Sequence, residues 1–411
     1  MMMRLKNKTI LFLLPAMEAG GVEGFTIDAA AAVIKAGGQA LVASSGGAMV
    51  ATLNKIGAVH FFMPFKTSWQ KFFPLFVLLR LYRLSKSKHV KLIYVASRSP
   101  AWYGWMVAKL LRLPLITGFH GIYSGYGFLP KKFYNQVMTW GNAIHAVSFF
   151  VEKHIKDIYK PKNPIAVIHG GVDINKIAKH KILDNDKQYA DGVLKNIFPH
   201  NNNQRIIFMP GRLSHLKGQW FLLKAFSQLL EQTTNDEAKH HQWHDVILLL
   251  QSVGKKRHLK KLHNIIAQKK LDGRIGFLPY QENLLPFYDR ASLVVNASRR
   301  PESFGRTIIE AMALNKITIA PNYGAALEQI NDSVNGFLFI AQSSESMAKA
   351  LKRAFNLSDQ QKKSIEVAGR HSVEENFSLS VKQGELVKLM AEVMERHHNI
   401  PSSGKARVAA P

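Results

Sequence analysis

The chain has 411 residues, 47% of them hydrophobic and 20% charged, and contains no cysteine. This length and composition leave room for two ordinary folded domains and exclude disulfide scaffolds, iron–sulfur clusters, thiolate zinc sites and cysteine nucleophiles. The 55 Lys and Arg against 28 Asp and Glu give a formal charge of +27, which points to an anionic partner such as nucleic acid, a membrane surface or a phosphorylated substrate.

In chain order, Arg4, Lys6 and Lys8 precede the apolar run Ile10–Leu14, which imitates a signal peptide. The run is short and stops at Pro15, so it reads better as a buried first strand entering a loop. That loop, 15–24, carries paired glycines, Gly20 and Gly21, ahead of a helical pattern at Val22–Lys35. Glycines at a strand-to-helix turn let the backbone approach a ligand, and the helix start offers N–H groups to an anion. The spacing is neither a dinucleotide fingerprint nor a Walker motif.

Between Asp28 and Glu152 lie 123 residues with 14 Lys and Arg and no carboxylate side chain. Residues 1–200 hold 26 basic and 9 acidic side chains, net +17, so the first half carries most of the field. Within it, Met63–Lys91 interleaves seven basic residues with six aromatics, among them Trp69, Lys71, Phe72, Phe73, Arg80 and Arg83. Such a segment suits an interfacial helix on an anionic membrane, or a core helix with a solvated basic face. Phe72–Leu84 is broken by Pro74, Arg80 and Arg83, and no transmembrane helix is expected.

Short apolar runs recur at Ala40–Ala43, Val59–Met63, Leu92–Ala96, Leu115–Phe119, Ile144–Ser148 and Ile165–Ile168, with helical segments such as Ala101–Leu111 between several of them. The alternation predicts a parallel sheet covered by helices. A polar stretch follows, and a second series begins at Ile206–Met209 and continues through Val246–Leu250, Ile275–Leu278, Leu293–Asn296, Ile317–Ala320 and Phe337–Ile340. The expected fold class is α/β with two Rossmann-like, doubly wound parallel-sheet domains. Their boundaries are 1–178 and 205–378, with a linker at 179–204, a helix at about 379–398 packing back on the first domain, and a disordered tail at 401–411. Ligands of such sheets bind beyond the carboxyl ends of the strands.

Two later loops carry chemistry. After Ile206–Met209 come Arg212 and Lys217, five positions apart, which can converge on a phosphate pair, the Arg as a planar fork and the Lys as a point charge. After Leu293–Asn296 a loop carries Glu302, and a helix beginning near Gly305 carries Glu310, so that both carboxylates can line one pocket while the helix start faces an anion.

The frame Pro-Glu-Ser-Phe-Gly…Glu-Ala-Met-Ala at 301–313, with Gly-Arg-x-x-x-x-Lys-Gly at 211–218 and Gly-Gly-Val-Glu at 20–23, resembles the retaining glycosyltransferases of family 4, which have the GT-B fold. Phe119-His120-Gly121, Gly171-Val172-Asp173 and Asn322-Tyr323-Gly324 fall in the expected order, and the opening looks most like bacterial enzymes that build lipopolysaccharide core or related envelope glycans. The resemblance implies two domains facing across a cleft. It implies that Arg212 and Lys217 neutralise the donor diphosphate without a metal or other cofactor, that Glu310 binds the nucleotide ribose and Glu302 the donor sugar, and that the backbone near Phe304 and Gly305 holds phosphate, with Ile308 beside them. It places His120 at the reacting face, with Gly20 and Gly21 closing over the diphosphate. The implied partners are a UDP- or GDP-sugar, a lipid-linked or lipopolysaccharide acceptor and an anionic membrane surface, with a peripheral location on the inner face of the cytoplasmic membrane and no nucleic acid. His169-Gly170 and Gln251–Lys255 depart from the family pattern near the nucleotide or hinge region, so the base is not carried over. The competing expectations are a nucleic-acid- or polyanion-binding protein, for which the charge is the whole case, and a nucleotide-sugar epimerase on the same fold.

Overall fold

A computed structural model describes residues 5–18, 20–65, 74–123, 129–179, 184–199, 204–233, 243–254 and 256–399. The chain divides into two compact units, one formed by Met1–Gly170 with Ser380–Pro411 and the other by Gly171–Leu379.

The first unit holds a seven-stranded parallel sheet built from β1 (Thr9–Leu13), β2 (Gln39–Ser44), β3 (Val59–Phe62), β4 (Val90–Val95), β5 (Leu115–Phe119), β6 (Ala143–Ala146) and β7 (Ile165–Val167), in the order β3-β2-β1-β4-β5-β6-β7. β1 and β5 are buried along their whole length. That is why they read as unbroken apolar runs: a parallel sheet covered on both faces has no polar side to alternate with. Strand order reverses between β1 and β4, the position at which α/β sheets bind ligands. The last helix, Leu379–His398, completes this unit. Its Leu386, Val387, Met390, Val393 and Met394 lie in one core cluster with Ile10, Phe12, Leu92 and Tyr94, and Gln383 Nε2 donates to the Asp28 carbonyl at 2.8 Å.

The second unit holds a six-stranded parallel sheet, β8 (Arg205–Met209), β9 (Val246–Gln251), β10 (Ile275–Leu278), β11 (Ala291–Val295), β12 (Ile317–Pro321) and β13 (Phe337–Phe339), in the order β10-β9-β8-β11-β12-β13. β8 and β11 flank its reversal point, so the loop carrying Arg212 and the loop carrying Glu302 leave neighbouring strands at the same end. The segment expected as a linker, 179–204, instead contains the helix Asp184–Ile197. Its Ala190 and the following Phe198 are buried with Phe208, Leu278 and Phe287, and Val193, Leu194 and Ile197 pack against the same cluster. A narrow apolar stripe at helical spacing thus anchors a segment whose polar majority reads as a linker. The tail expected at 401–411 lies outside the described residues.

Candidate active site

In the unit Gly171–Leu379, the loop after β8 is shaped by two glycines in the left-handed region, Gly211 at φ 119° and Gly218 at φ 78°. Gly218 is pressed against the chain leaving β11: a Cβ there would stand 3.0 Å from the Ala297 carbonyl carbon and closer still to its oxygen. This close approach sets Lys217 beside the second loop, where its Nζ donates to Glu302 Oε1 at 2.5 Å. The same carboxylate oxygen accepts the Ser298 hydroxyl, and the Tyr323 hydroxyl donates to the Ser298 carbonyl at 2.5 Å. Gly324, at φ 66°, backs the Glu302 main chain, where a Cβ would come within 3.0 Å of its nitrogen, and the Ala325 N–H donates to the Glu302 carbonyl at 3.1 Å. Burial, then the nearby Glu302 charge, pushes the Tyr323 phenol up to about 12, so it stays a donor at neutral pH.

Eight residues further on, Glu310 Oε2 accepts the Tyr288 hydroxyl at 3.0 Å, and Arg306 Nε lies 3.5 Å from Oε1. Tyr288 is buried, and that burial, then the Glu310 charge, raises its phenol well above its ordinary value. The helix carrying Glu310, Arg306–Ala313, starts at Gly305 and offers the positive end of its dipole to the loop that holds Glu302. Asn296 ties strand end to helix start, accepting from the Ser298 N–H at 3.1 Å and donating to the Thr307 hydroxyl at 3.4 Å. Arg212 is exposed and, among the described residues, makes no ion pair, while its carbonyl accepts from Gln219 Nε2 at 3.0 Å. Phe304 sets its ring 5.9 Å from that of Phe377. Ile308 is 1% exposed within the cluster of Ile309, Met312 and Phe377, so its side chain is committed to the core and only its backbone can meet a ligand.

In the other unit, Gly20 and Gly21 begin the helix Gly21–Lys35, and a Cβ at Gly21 would meet open space, so packing does not account for the glycine. One turn into that helix, Phe25 lies with its ring 4.4 Å from that of His120, 5.7 Å from Tyr94 and 5.3 Å from His145. His120 follows β5 and is partly exposed; Tyr94 in β4 and His145 in β6 are fully buried. Of the basic aromatic segment, Trp69, Lys71, Phe72 and Phe73 lie outside the described residues, whereas Arg80 and Arg83 are exposed on the helix Pro74–Ser87.

The sequence singles out Lys217, Glu302, Glu310 and His120 as candidates, gives Ser298 and Tyr323 no role of their own, and does not mark Tyr288, Tyr94 or His145. For the last two a signal was present: a Tyr and a His inside mostly apolar strand runs must find buried partners.

Two family models match consecutive parts of the chain, Glycosyltransferase Family 4 over residues 19–176 and Glycosyl transferases group 1 over residues 193–371. A crystal structure of a glycosyltransferase from Rickettsia africae superposes with a TM-score of 0.81 at 28% identity, covering 96% of this chain and 99% of that one. The Anabaena protein Alr3699/HepE, solved with UDP and glucose, gives 0.78 at 22% identity, covering 93% and 99%. Among curated sequences, a lipopolysaccharide core biosynthesis mannosyltransferase of Rhizobium leguminosarum is 27% identical over 188 residues, 46% of this chain and 49% of that protein. A glycosyltransferase of Methanocaldococcus jannaschii is 27% identical over 208 residues, 49% and 44%. The chain thus spans about half the length of the curated relatives it matches. With one family model on each sheet and a neighbour matched from end to end, the chain belongs to the family 4 glycosyltransferases of GT-B fold.

Proposed function

We propose that this glycosyltransferase moves a hexosyl or N-acetylhexosaminyl group, with retention of configuration, from a UDP- or GDP-sugar to a lipid-linked or lipopolysaccharide-core acceptor at the cytoplasmic face of a membrane, with no metal. The observation that carries the reading is the Lys217–Glu302 contact beside the start of the helix Arg306–Ala313. As the bond from the anomeric carbon to the diphosphate breaks, negative charge grows on phosphate and positive charge on the sugar ring. Lys217, Arg212 and the helix dipole stabilise the first, and the Glu302 carboxylate faces the second. The acceptor oxygen attacks from the face the diphosphate leaves, and its proton passes to the departing phosphate oxygen. Glu302 forms no covalent bond. UDP as the donor nucleotide is supported by the Anabaena structures, which hold UDP, UDP with glucose, or UDP-glucose.

The membrane part of the proposal rests on the helix Pro74–Ser87. Val77, Leu81 and Ser85 are buried, while Leu75, Phe76 and Leu79 stand 64%, 53% and 45% exposed alongside exposed Arg80, Arg83 and Lys86. Exposed apolar and basic groups on one short helix suit an anionic headgroup layer. Among the described residues no helix is long and apolar enough to cross a membrane.

The decisive experiment measures binding and slow hydrolysis of UDP-, GDP- and ADP-sugars in EDTA, for the wild type, Lys217→Ala and Glu310→Ala. Selective turnover of one donor that both substitutions weaken is the expected result. Activity that disappears with EDTA, or substitutions without effect, overturns the site assignment.

A further inference from the structure

The buried cluster around His120 contains a hydrogen-bond chain whose every direction is fixed by one carbonyl. His145 Nε2 lies 2.8 Å from the Ile168 carbonyl oxygen. A carbonyl only accepts, so Nε2 carries a proton. Burial pulls His145 down to about 4, so at neutral pH its ring is uncharged and Nδ1 is a bare lone pair. The Tyr94 hydroxyl, 2.6 Å from that Nδ1, must donate to it. With its single proton used, the phenol oxygen can only accept from His120 Nε2, 3.2 Å away. Burial, then the neighbouring His145, holds His120 well below its ordinary value, so it too is neutral and its second nitrogen, Nδ1, carries no proton.

We propose that Tyr94 and His145 are positioning residues that lock His120 in its Nε2–H tautomer, so that His120 meets substrate as a hydrogen-bond acceptor through Nδ1 and selects a hydroxyl of the sugar over a carboxylate or phosphoryl group. This rests on the reading of His120 as a substrate-facing residue. An Nδ1 lone pair accepts from O–H and repels an anionic oxygen, so a uronate presenting its carboxylate there is rejected. Two packing features hold the chain in place. A Cβ at Gly118 would stand 2.8 Å from His120 Nε2 and closer to the Tyr94 hydroxyl, so only glycine lets these two atoms meet. The Phe25 ring covers Tyr94 and both imidazoles.

The test reads the tautomers directly, by long-range proton–nitrogen correlation NMR on the full chain labelled with nitrogen-15 histidine, with His120→Asn and His145→Asn identifying the signals. The wild type without substrate is expected to show the neutral Nε2–H pattern for both rings. In Tyr94→Phe, His145 keeps its pattern through Ile168 while His120 shifts toward a tautomer mixture. A His120 ring protonated on Nδ1 in the wild type, which needs no substitution to observe, overturns the proposal, as does an unchanged His120 pattern in Tyr94→Phe. Added UDP-glucose is then expected to move His120 Nδ1 where UDP alone does not, and Tyr94→Phe to slow UDP-glucose hydrolysis about tenfold, the worth of one hydrogen bond. Sugar binding that leaves Nδ1 unmoved overturns the substrate-facing part. Absence of any response to UDP-glucose excludes that one donor and leaves the tautomer result to decide the positioning role.

Discussion

Lys217 and Glu302, 85 positions apart on loops leaving adjacent strands, meet at 2.5 Å and hold opposite charges together at one end of a parallel sheet. In the proposed reading a cation at this place faces the donor diphosphate and is useful in itself. Beside a carboxylate it also has to neutralise a charge that would repel the ligand.

Removing that cation therefore does double harm. Lys217→Met is expected to weaken UDP-glucose binding, read by calorimetry, more than Arg212→Met does, and Lys217→Met with Glu302→Gln to recover part of the loss. The coupling between the two positions should be of order 0.5–3 kcal/mol. Strictly additive effects would mean that the two side chains act on the donor independently. Because the Lys217 and Glu302 side chains are 32% and 21% exposed, solvent screens the pair, and folding stability should change by no more than about 1 kcal/mol.

Gly218→Ala should fail for a different reason. The residue sits at φ 78° and an added Cβ would run into the Ala297 carbonyl, so a methyl group meets both backbone strain and a clash. A loss of about 1–3 kcal/mol in urea unfolding is expected, together with weakened donor binding as Lys217 is moved off Glu302. An alanine variant as stable as the wild type would show that the loop can withdraw from the chain after β11.

Stability should fall on mild acidification. His145 has an ordinary value of 6.5 and a folded value of about 4. The unfolded chain therefore binds a proton that the folded protein refuses, and stability is complete above pH 6.5 and lost progressively as the pH drops toward 4. The limit of this loss is about 3 kcal/mol, with His120 acting in the same direction. Urea midpoints measured between pH 7 and pH 4 should fall for the wild type and slope less steeply for His145→Gln. Equal slopes would remove His145 as the cause.

On vesicles containing anionic lipid, Arg80→Ala with Arg83→Ala should weaken binding about 30-fold at low salt, at about 1 kcal/mol for each charge. A sedimentation assay with neutral vesicles as the comparison reads it. Equal binding by the double variant would turn the exposed face of Pro74–Ser87 to another use.

Much of the fold was legible because a parallel sheet covered on both faces writes its strands as apolar runs, as at Ile10–Leu14 and Val246–Leu250. Asp184–Ile197 was not, since a single stripe through Ala190, Val193, Leu194 and Ile197 is diluted by the polar residues around it. The charged members of the candidate site announced themselves through spacing along the chain, as Arg212 with Lys217 and Glu302 with Glu310. Their supports did not: Tyr288 lies far from Glu310 in sequence and Tyr323 far from Ser298, as His145 does from Tyr94, and only the register of neighbouring strands and loops brings each pair together.

The helix Leu379–His398 covers Ile10, Phe12, Leu92 and Tyr94, yet it is the last described element to leave the ribosome. During synthesis the part of the N-terminal core that Leu386, Val387, Met390, Val393 and Met394 fill must wait until the whole of Gly171–Leu379 has been made. The unit translated second is thus the first that can be finished. A nascent chain interrupted before residue 379 leaves that apolar patch open to chaperones and to other copies of itself, so the first core begun is the last to be completed.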